Sequence, residues 1–329
     1  MKFYSNISDL EKVNGKKVFK ITKQTEEVVD VWVSEGEEDI SEGRDGMITY
    51  RKSEEGIFGS IECEIKLGDG NNIESTATTL YRQIFKFITE LPEYKLVRIW
   101  NYVPIILGDV SQSAPDLDIY RCFNRGRYKA FSEKYGQDME KWIIPAASAV
   151  GSTNNVLKIE FFVSKEDCIF FENKVQTPAY HYSAKYGKLP PVFSRGALYK
   201  FKDEILLISS GTASVLNEDS SHINDIYKQV RQSIENLLIL VSSSNLQQYS
   251  IDDSFDIQDL VLLRVYYKSD QDRDFIEEEI RKSINAKCQI CFMKADICRD
   301  NLLVEIEGIF QKKGIKDHSN SEKEYAIKN

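Results

Sequence analysis

The chain has 329 residues, enough for two ordinary domains or one large one, and with 42% hydrophobic and 29% charged residues it reads as a globular protein with a substantial core. Its net charge of −9, with no basic stripe, argues against a nucleic-acid surface, so an anionic ligand would need a local cluster of arginines. No stretch is apolar over the roughly 18 residues a membrane span needs, and MKFYSNISDLEK lacks the apolar region of a signal peptide; a cytoplasmic protein with no membrane partner is expected.

In chain order, the first 70 residues read as strands in KKVFKITK, EVVDVWVSE and GSIECEIKL, interrupted by SEGEEDISEGRDG, an acidic stretch expected to be a solvated, mobile loop. STATTLYRQIFKFITEL follows with Leu80, Ile84, Phe85, Ile88 and Leu91 on one helical face. Then come a strand in KLVRIWNYVPII, a helix in LDIYRCFNRGRYKAFSEKYG that stops at glycine, PAASAV, and a strand in VLKIEFFVS. The second half repeats the order: strand EILLISSGTASVL, helix INDIYKQVRQSIENLLILV, strand LVLLRVYYKS, helix DRDFIEEEIRKSI, and strands CQICFMKADI and LLVEIEGIF.

Matching VLKIEFF with LLVEIEG puts Ile159 on Glu305, 146 positions later, and LYRQ on IYKQ puts Tyr81 on Tyr227 at the same offset. The pattern predicts an α/β (α+β) protein made of two tandem units, residues 1–164 and 165–311, each a mixed sheet with helices on one face. Residues 312–329 are expected to be a disordered tail, and the site is expected in the second unit.

Six cysteines suit a reducing compartment. CQIC, Cys288 to Cys291, has the C-x-x-C spacing but no second pair or nearby histidine, and in a strand residues three apart face opposite sides; core packing is the reading, with no metal. Only His181, His222 and His318 exist, little material for a histidine triad. There is no G-x-G-x-x-G or P-loop, so no cofactor is implied. Glu305 is the anomaly: a carboxylate inside LLVEIEG either faces water or is buried and holds its proton. Isoleucine at the matched position of the first unit favours burial, and Glu307 better suits a solvated carboxylate.

SSGTAS, the Q…IENLL helix and the closing LLVEIEG resemble the YjgF/RidA fold. Over roughly residues 80–310, the ordered series LVRIWNYVP, YRCFNRGRYKAF, PAASAVG, ENKVQTPAYHYSAKYGKLPPVFSRG, SGTAS and ADICRDNLLVEIEG is similar to the chorismatase family of the FkbO/Hyg5 type, which carries a tandem YjgF-like architecture. That resemblance implies chorismate, a dicarboxylate with an enol ether, as substrate. Glu305 matches the family's catalytic glutamate, the general acid for the enolpyruvyl methylene. Arg127 and Arg195 match carboxylate-binding arginines, with Arg121 less certain and Arg125 on its face of the helix. Tyr180 and Tyr182 alternate with His181 and are expected to face the same way, with Tyr182 the substrate hydrogen-bond donor. Gly211 in SGTAS and Cys298, seven residues before Glu305, go with the 3-hydroxybenzoate-forming branch; alanine at the glycine position goes with a dihydroxycyclohexadiene carboxylate. A four-residue RDNL loop would set Cys298 against Leu303, on the face of Glu305.

Two departures stand out: VLNEDS where the family reads close to IVGHES, with Asn217 taken as replacing the histidine, and Ser183 where proline is common. Rival readings are a RidA-like enamine/imine deaminase and a non-catalytic small-acid binder. Two units fused in one chain are expected to act as a monomer.

Overall fold

The computed structural model describes residues 1–5, 15–24, 27–66, 69–110 and 118–313. A three-stranded antiparallel sheet comes first: β1 (Lys2–Ser5), β2 (Val18–Gln24) and β3 (Glu27–Val33), in the order β1-β3-β2. Two larger sheets built to one plan follow. The first is made by β4 (Ser41–Asp45), β5 (Ile48–Lys52), β6 (Ile57–Glu64), helix α1 (Gly70–Thr89), β7 (Lys95–Pro104), helix α2 (Ile119–Tyr135), β8 (Ala146–Ser152) and β9 (Val156–Ser164). Its order is β4-β5-β6-β9-β7-β8, with β7 and β8 parallel.

The second begins with β10 (Cys168–Phe171), β11 (Gly196–Phe201) and β12 (Glu204–Ser209), then the short β13 (Thr212–Ala213) and the hairpin β14 (Val215–Leu216) and β15 (Asp219–Ser220). Helices α3 (Ile226–Val241) and α4 (Ser243–Leu246), β16 (Leu260–Tyr267), α5 (Arg273–Ser283), β17 (Gln289–Lys294) and β18 (Val304–Lys313) complete it. The order is β10-β11-β12-β18-β16-β17, again with a parallel final pair, β16 and β17. The chain is thus α/β, two tandem units of the same strand order.

The three longest helices, α1, α2 and α3, form where a capping aspartate precedes an apolar stripe. Asp69 accepts from the backbone N–H groups of Asn71 and Asn72 to open α1, whose Ile73, Ala77, Leu80 and Ile84 are buried. Asp118 caps α2 through Arg121 N–H. α1 and α2 cover the outer face of the first sheet, α3 and α5 that of the second. The inner faces meet in a core of Trp100, Phe162, Tyr199, Leu206 and Tyr266, joined by Phe3, Phe19 and Trp32 of the N-terminal sheet. Central strands are therefore covered on both faces, which is why β7, β9 and β18 read as nearly unbroken apolar runs. Glu305 has no open face to turn to.

Four expectations change. The repeat is out of step by one residue in the closing strands. Matched at their bulges, β9 pairs Phe162 with Arg98 where β18 pairs Ile309 with Leu262, and Glu305 then corresponds to Lys158. Ile159 faces the helices and corresponds to Ile306; a slip of one moves every side chain to the other face. Tyr81 and Tyr227, matched by the same offset, have different surroundings: Tyr81 is fully buried and Tyr227 is 37% exposed. SEGEEDISEGRDG is not loop throughout: Ser41–Asp45 is an exposed edge strand paired with β5. Finally, β18 runs to Lys313, and the rest of the expected tail lies outside the described residues. In CQIC the opposite-face reading holds, with Cys288 in the helix-side core and Cys291 in the inter-sheet core.

Candidate active site

A cavity of about 690 Å³ opens where the edge of the first sheet meets the second. β8 supplies Ala147, Ser148 and Ala149, and its edge is tied across by a bridge from Ala146 to Ser194 and by Ala147 N–H donating to Ser210 Oγ at 2.7 Å. Helix α2 contributes Tyr120, Arg121 and Arg127; the stretch after β10 contributes Tyr182, Lys185, Tyr186 and Arg195; the turn into β18 contributes Cys298 and Arg299, and β18 itself Glu305.

Glu305 is 5% exposed and lies against Gly211: a Cβ at that glycine would fall inside the Glu305 carboxyl, and 3.1 Å from Ser148 Oγ. The absence of a side chain at Gly211 is what lets the carboxyl lie there. Burial, and secondly the negative charge of Glu307, push the Glu305 carboxyl up to about 8, against the opposing pull of Arg98 and Arg195. It holds its proton at neutral pH. Glu307, two residues on along the same face, has the opposite environment. Arg98 and Arg264 both bond it, Trp100 Nε1–H donates at 3.0 Å, Tyr266 O–H at 3.0 Å and Ser148 O–H at 2.6 Å. Burial alone would raise its carboxyl, but Arg264 and then Arg98 outweigh it and the net shift is downward. The expectation of a solvated Glu307 is overturned: it is a buried, ionised carboxylate.

Arg127 is 2% exposed and stacks over Tyr81 and Phe131, 5.4 and 5.7 Å from their ring centres; its Nε and one terminal nitrogen have no hydrogen-bond partner among the described residues. Arg195, 4% exposed, donates to Tyr182 Oη at 2.6 Å and leaves its Nε unpartnered. Two buried guanidiniums in one cavity thus keep spare donors, and guanidinium geometry suits planar anions. Arg121 lines the mouth and donates to the Lys185 carbonyl at 3.2 Å, whereas Arg125 turns to α1 and pairs with Glu74 at 3.1 Å. Cys298 is in a turn rather than paired with Leu303, closed by Leu302 N–H to the Arg299 carbonyl at 3.1 Å. Burial, then the neighbouring Glu305, push its thiol up to about 12, so it is a neutral thiol and not a thiolate.

Tyr180 is set apart from Tyr182. Ala179–His181 is a 3-10 turn, so alternation does not hold, and Tyr180 points into a different cavity beside Glu172, whose carboxyl burial raises to about 8. Asn217 has φ +51, the left-handed region that glycine favours; letter by letter it falls on the glycine of IVGHES, and Glu218 falls on the histidine. The two departures touch, since Ser183 donates its backbone N–H and its hydroxyl to the Glu218 carboxylate at 2.8 and 2.7 Å. Proline at 183 could not make the first bond. Arg299, 3.9 Å over the Tyr186 ring, was missed although it adjoins Cys298. Ser148 was hidden in PAASAVG and had no chemical signal of its own.

Set beside known proteins, residues 30–163 match the family described as chorismatase FkbO/Hyg5-like, N-terminal. The chain is 30% identical to the 3-hydroxybenzoate synthase of Streptomyces hygroscopicus over 295 residues, 88% of this chain and 83% of that one. A chorismatase of Streptomyces hygroscopicus is 26% identical over 293 residues, covering 89% and 82%. A crystal structure of a chorismatase superposes with a TM-score of 0.77 at 27% identity, covering 89% of this chain and 85% of that one. These matches make the chain an enzyme of chorismatase type. The chain belongs to the FkbO/Hyg5-like chorismatase family.

Proposed function

We propose that this enzyme cleaves the enolpyruvyl ether of chorismate to pyruvate and 3-hydroxybenzoate, with Glu305 as the general acid. The observation that carries the reading is a carboxyl raised to about 8 within a cavity that also holds Arg127 and Arg195. The two arginines take the two substrate carboxylates. Glu305 gives its proton to the enolpyruvyl methylene carbon, and the resulting oxocarbenium ion weakens the ether; such catalysis contributes about 10²–10⁴-fold. Pyruvate then leaves while the ring rearranges through an internally formed arene oxide, so the two products together have the atoms of chorismate and no water is consumed. Gly211 gives the acid its place, and Cys298, a neutral thiol, is a donor near the ring.

The test is incubation of the purified protein with chorismate, with pyruvate quantified and ring products separated by chromatography, beside Glu305→Gln. Wild type is expected to give pyruvate and 3-hydroxybenzoate, and the variant neither. A dihydroxycyclohexadiene carboxylate in place of the aromatic acid would overturn the product, and full activity in the variant would overturn the acid. Because the required form is protonated, activity is expected to persist below pH 8 and to fall as pH rises through about 8.

A further inference from the structure

The acid does not stand alone on β18. A chain of fully buried charges runs away from it. Arg98 and Ser148 bond Glu307, Arg264 bonds both Glu307 and Asp30, and Asp30 pairs with Lys20 at 3.3 Å on the N-terminal sheet. Lys20 also lies 4.9 Å over the Trp100 ring and Arg98 at the same distance from it. Ser148 closes the path back to the site: its hydroxyl bonds Glu307 and accepts the Gly211 N–H at 2.9 Å, the backbone against which the Glu305 carboxyl lies. Each of these charges is costly to bury unpaired, and the three cations and two anions form one continuous network.

We propose that Glu307 is a positioning residue for the reaction: its fixed charge keeps the proton on Glu305, and through Ser148 it holds Gly211 and the acid in register. This rests on Glu305 being the acid. Alternate residues of a strand stand on one face roughly 7 Å apart, close enough in a dry core for one carboxylate to disfavour ionisation of the other. The other groups facing Glu305 are Arg98 from β7, Arg195 from the stretch before β11, Cys298 from the turn before β18 and Tyr266 opposite it on β16. Arg98 opposes Glu307 in its effect on Glu305, so the two charges have opposite signatures. A merely structural role would give both the same one, a loss of fold.

The test follows the alkaline limb of kcat/KM for chorismate together with the ¹³C-carboxyl titration of Glu305, assigned by its absence in Glu305→Gln. Glu307→Gln keeps the shape and removes the charge; it is expected to move both midpoints down by about one to two pH units. Arg98→Gln is expected to move them up, and the double variant Arg98→Gln/Glu307→Gln, which leaves the net charge of the network unchanged, to bring them back towards wild type. Should Glu307→Gln fail to fold, Arg98→Gln and the double variant still decide the sign. Midpoints unmoved in the folded variants overturn the proposal. A carboxyl midpoint that moves while the kinetic limb does not would support the tuning by Glu307 and instead remove Glu305 as the acid.

Discussion

β9 and β18 hold the same place in two sheets of identical strand order, and their inward faces differ at one decisive position. On β9 the pair is Lys158 and Glu160, joined at 2.7 Å. On β18 the corresponding pair is Glu305 and Glu307. The neighbours differ to match: Glu160 lies opposite Trp100, and Glu307 lies opposite Arg264. In the first sheet the strand's own lysine supplies the buried carboxylate with a counter-charge. In the second, arginines from other strands supply it, and the residue where the lysine would stand is left with a proton. The scaffold thus occurs twice, and a protonated carboxyl in place of a lysine ammonium at one position separates the two strands.

Four substitutions would break or sharpen this contrast. The largest effect is expected from Gly211→Ala, whose Cβ would displace the Glu305 carboxyl while Ser148 holds the backbone in place. A shift of about 1 Å at a reacting group costs about 10²-fold, so pyruvate release should fall by that order. The residual product should turn towards the non-aromatic diene acid, which chromatography would read. Lys158→Met tests the silent strand. It removes the partner of a carboxylate that is 2% exposed, and urea unfolding should show a loss of about 2 kcal/mol, less than the 3–5 kcal/mol of a fully buried pair because Lys158 is a third exposed. Pyruvate release by the folded fraction should stay within about twofold. The smallest effect belongs to Tyr180→Phe, which should change kcat/KM by less than about threefold, whereas Tyr182→Phe removes the oxygen that Arg195 donates to and should cost about tenfold.

Most elements were legible because their periodicities are strong: α1, α2, β7, β16 and β18 fall where the apolar patterns put them. The motifs also pointed to Glu305, Arg127, Arg195, Tyr182, Gly211, Cys298 and Arg121, which line one cavity, while Tyr180 lines another. What escaped has physical reasons. Apolar runs buried on both faces carry no alternation, so nothing in VLKIEFF and LLVEIEG fixed the register to better than one residue, and Ile159 was set against the wrong partner. The partners of Glu307 lie 43 and 209 positions away, on strands that meet only in the folded chain, so a buried ion network looked like a surface carboxylate. Tyr180 was misplaced because a 3-10 turn, not a strand, carries AYHY.

The junction position of the cavity has a further consequence. Arg127 and Ser148 come from the stretch before Lys165, and Arg195, Gly211, Cys298 and Glu305 from the stretch after it, with Lys165 and Glu166 in the short exposed link between β9 and β10. A chain severed at that link would leave Arg127 on one fragment and Arg195 with Glu305 on the other, so neither fragment would hold both of the arginines proposed for the two substrate carboxylates. Such a pair would behave as a two-piece catalyst: at low dilution-limited concentrations its rate would fall with the product of the two fragment concentrations, and mixing would restore what neither piece possesses.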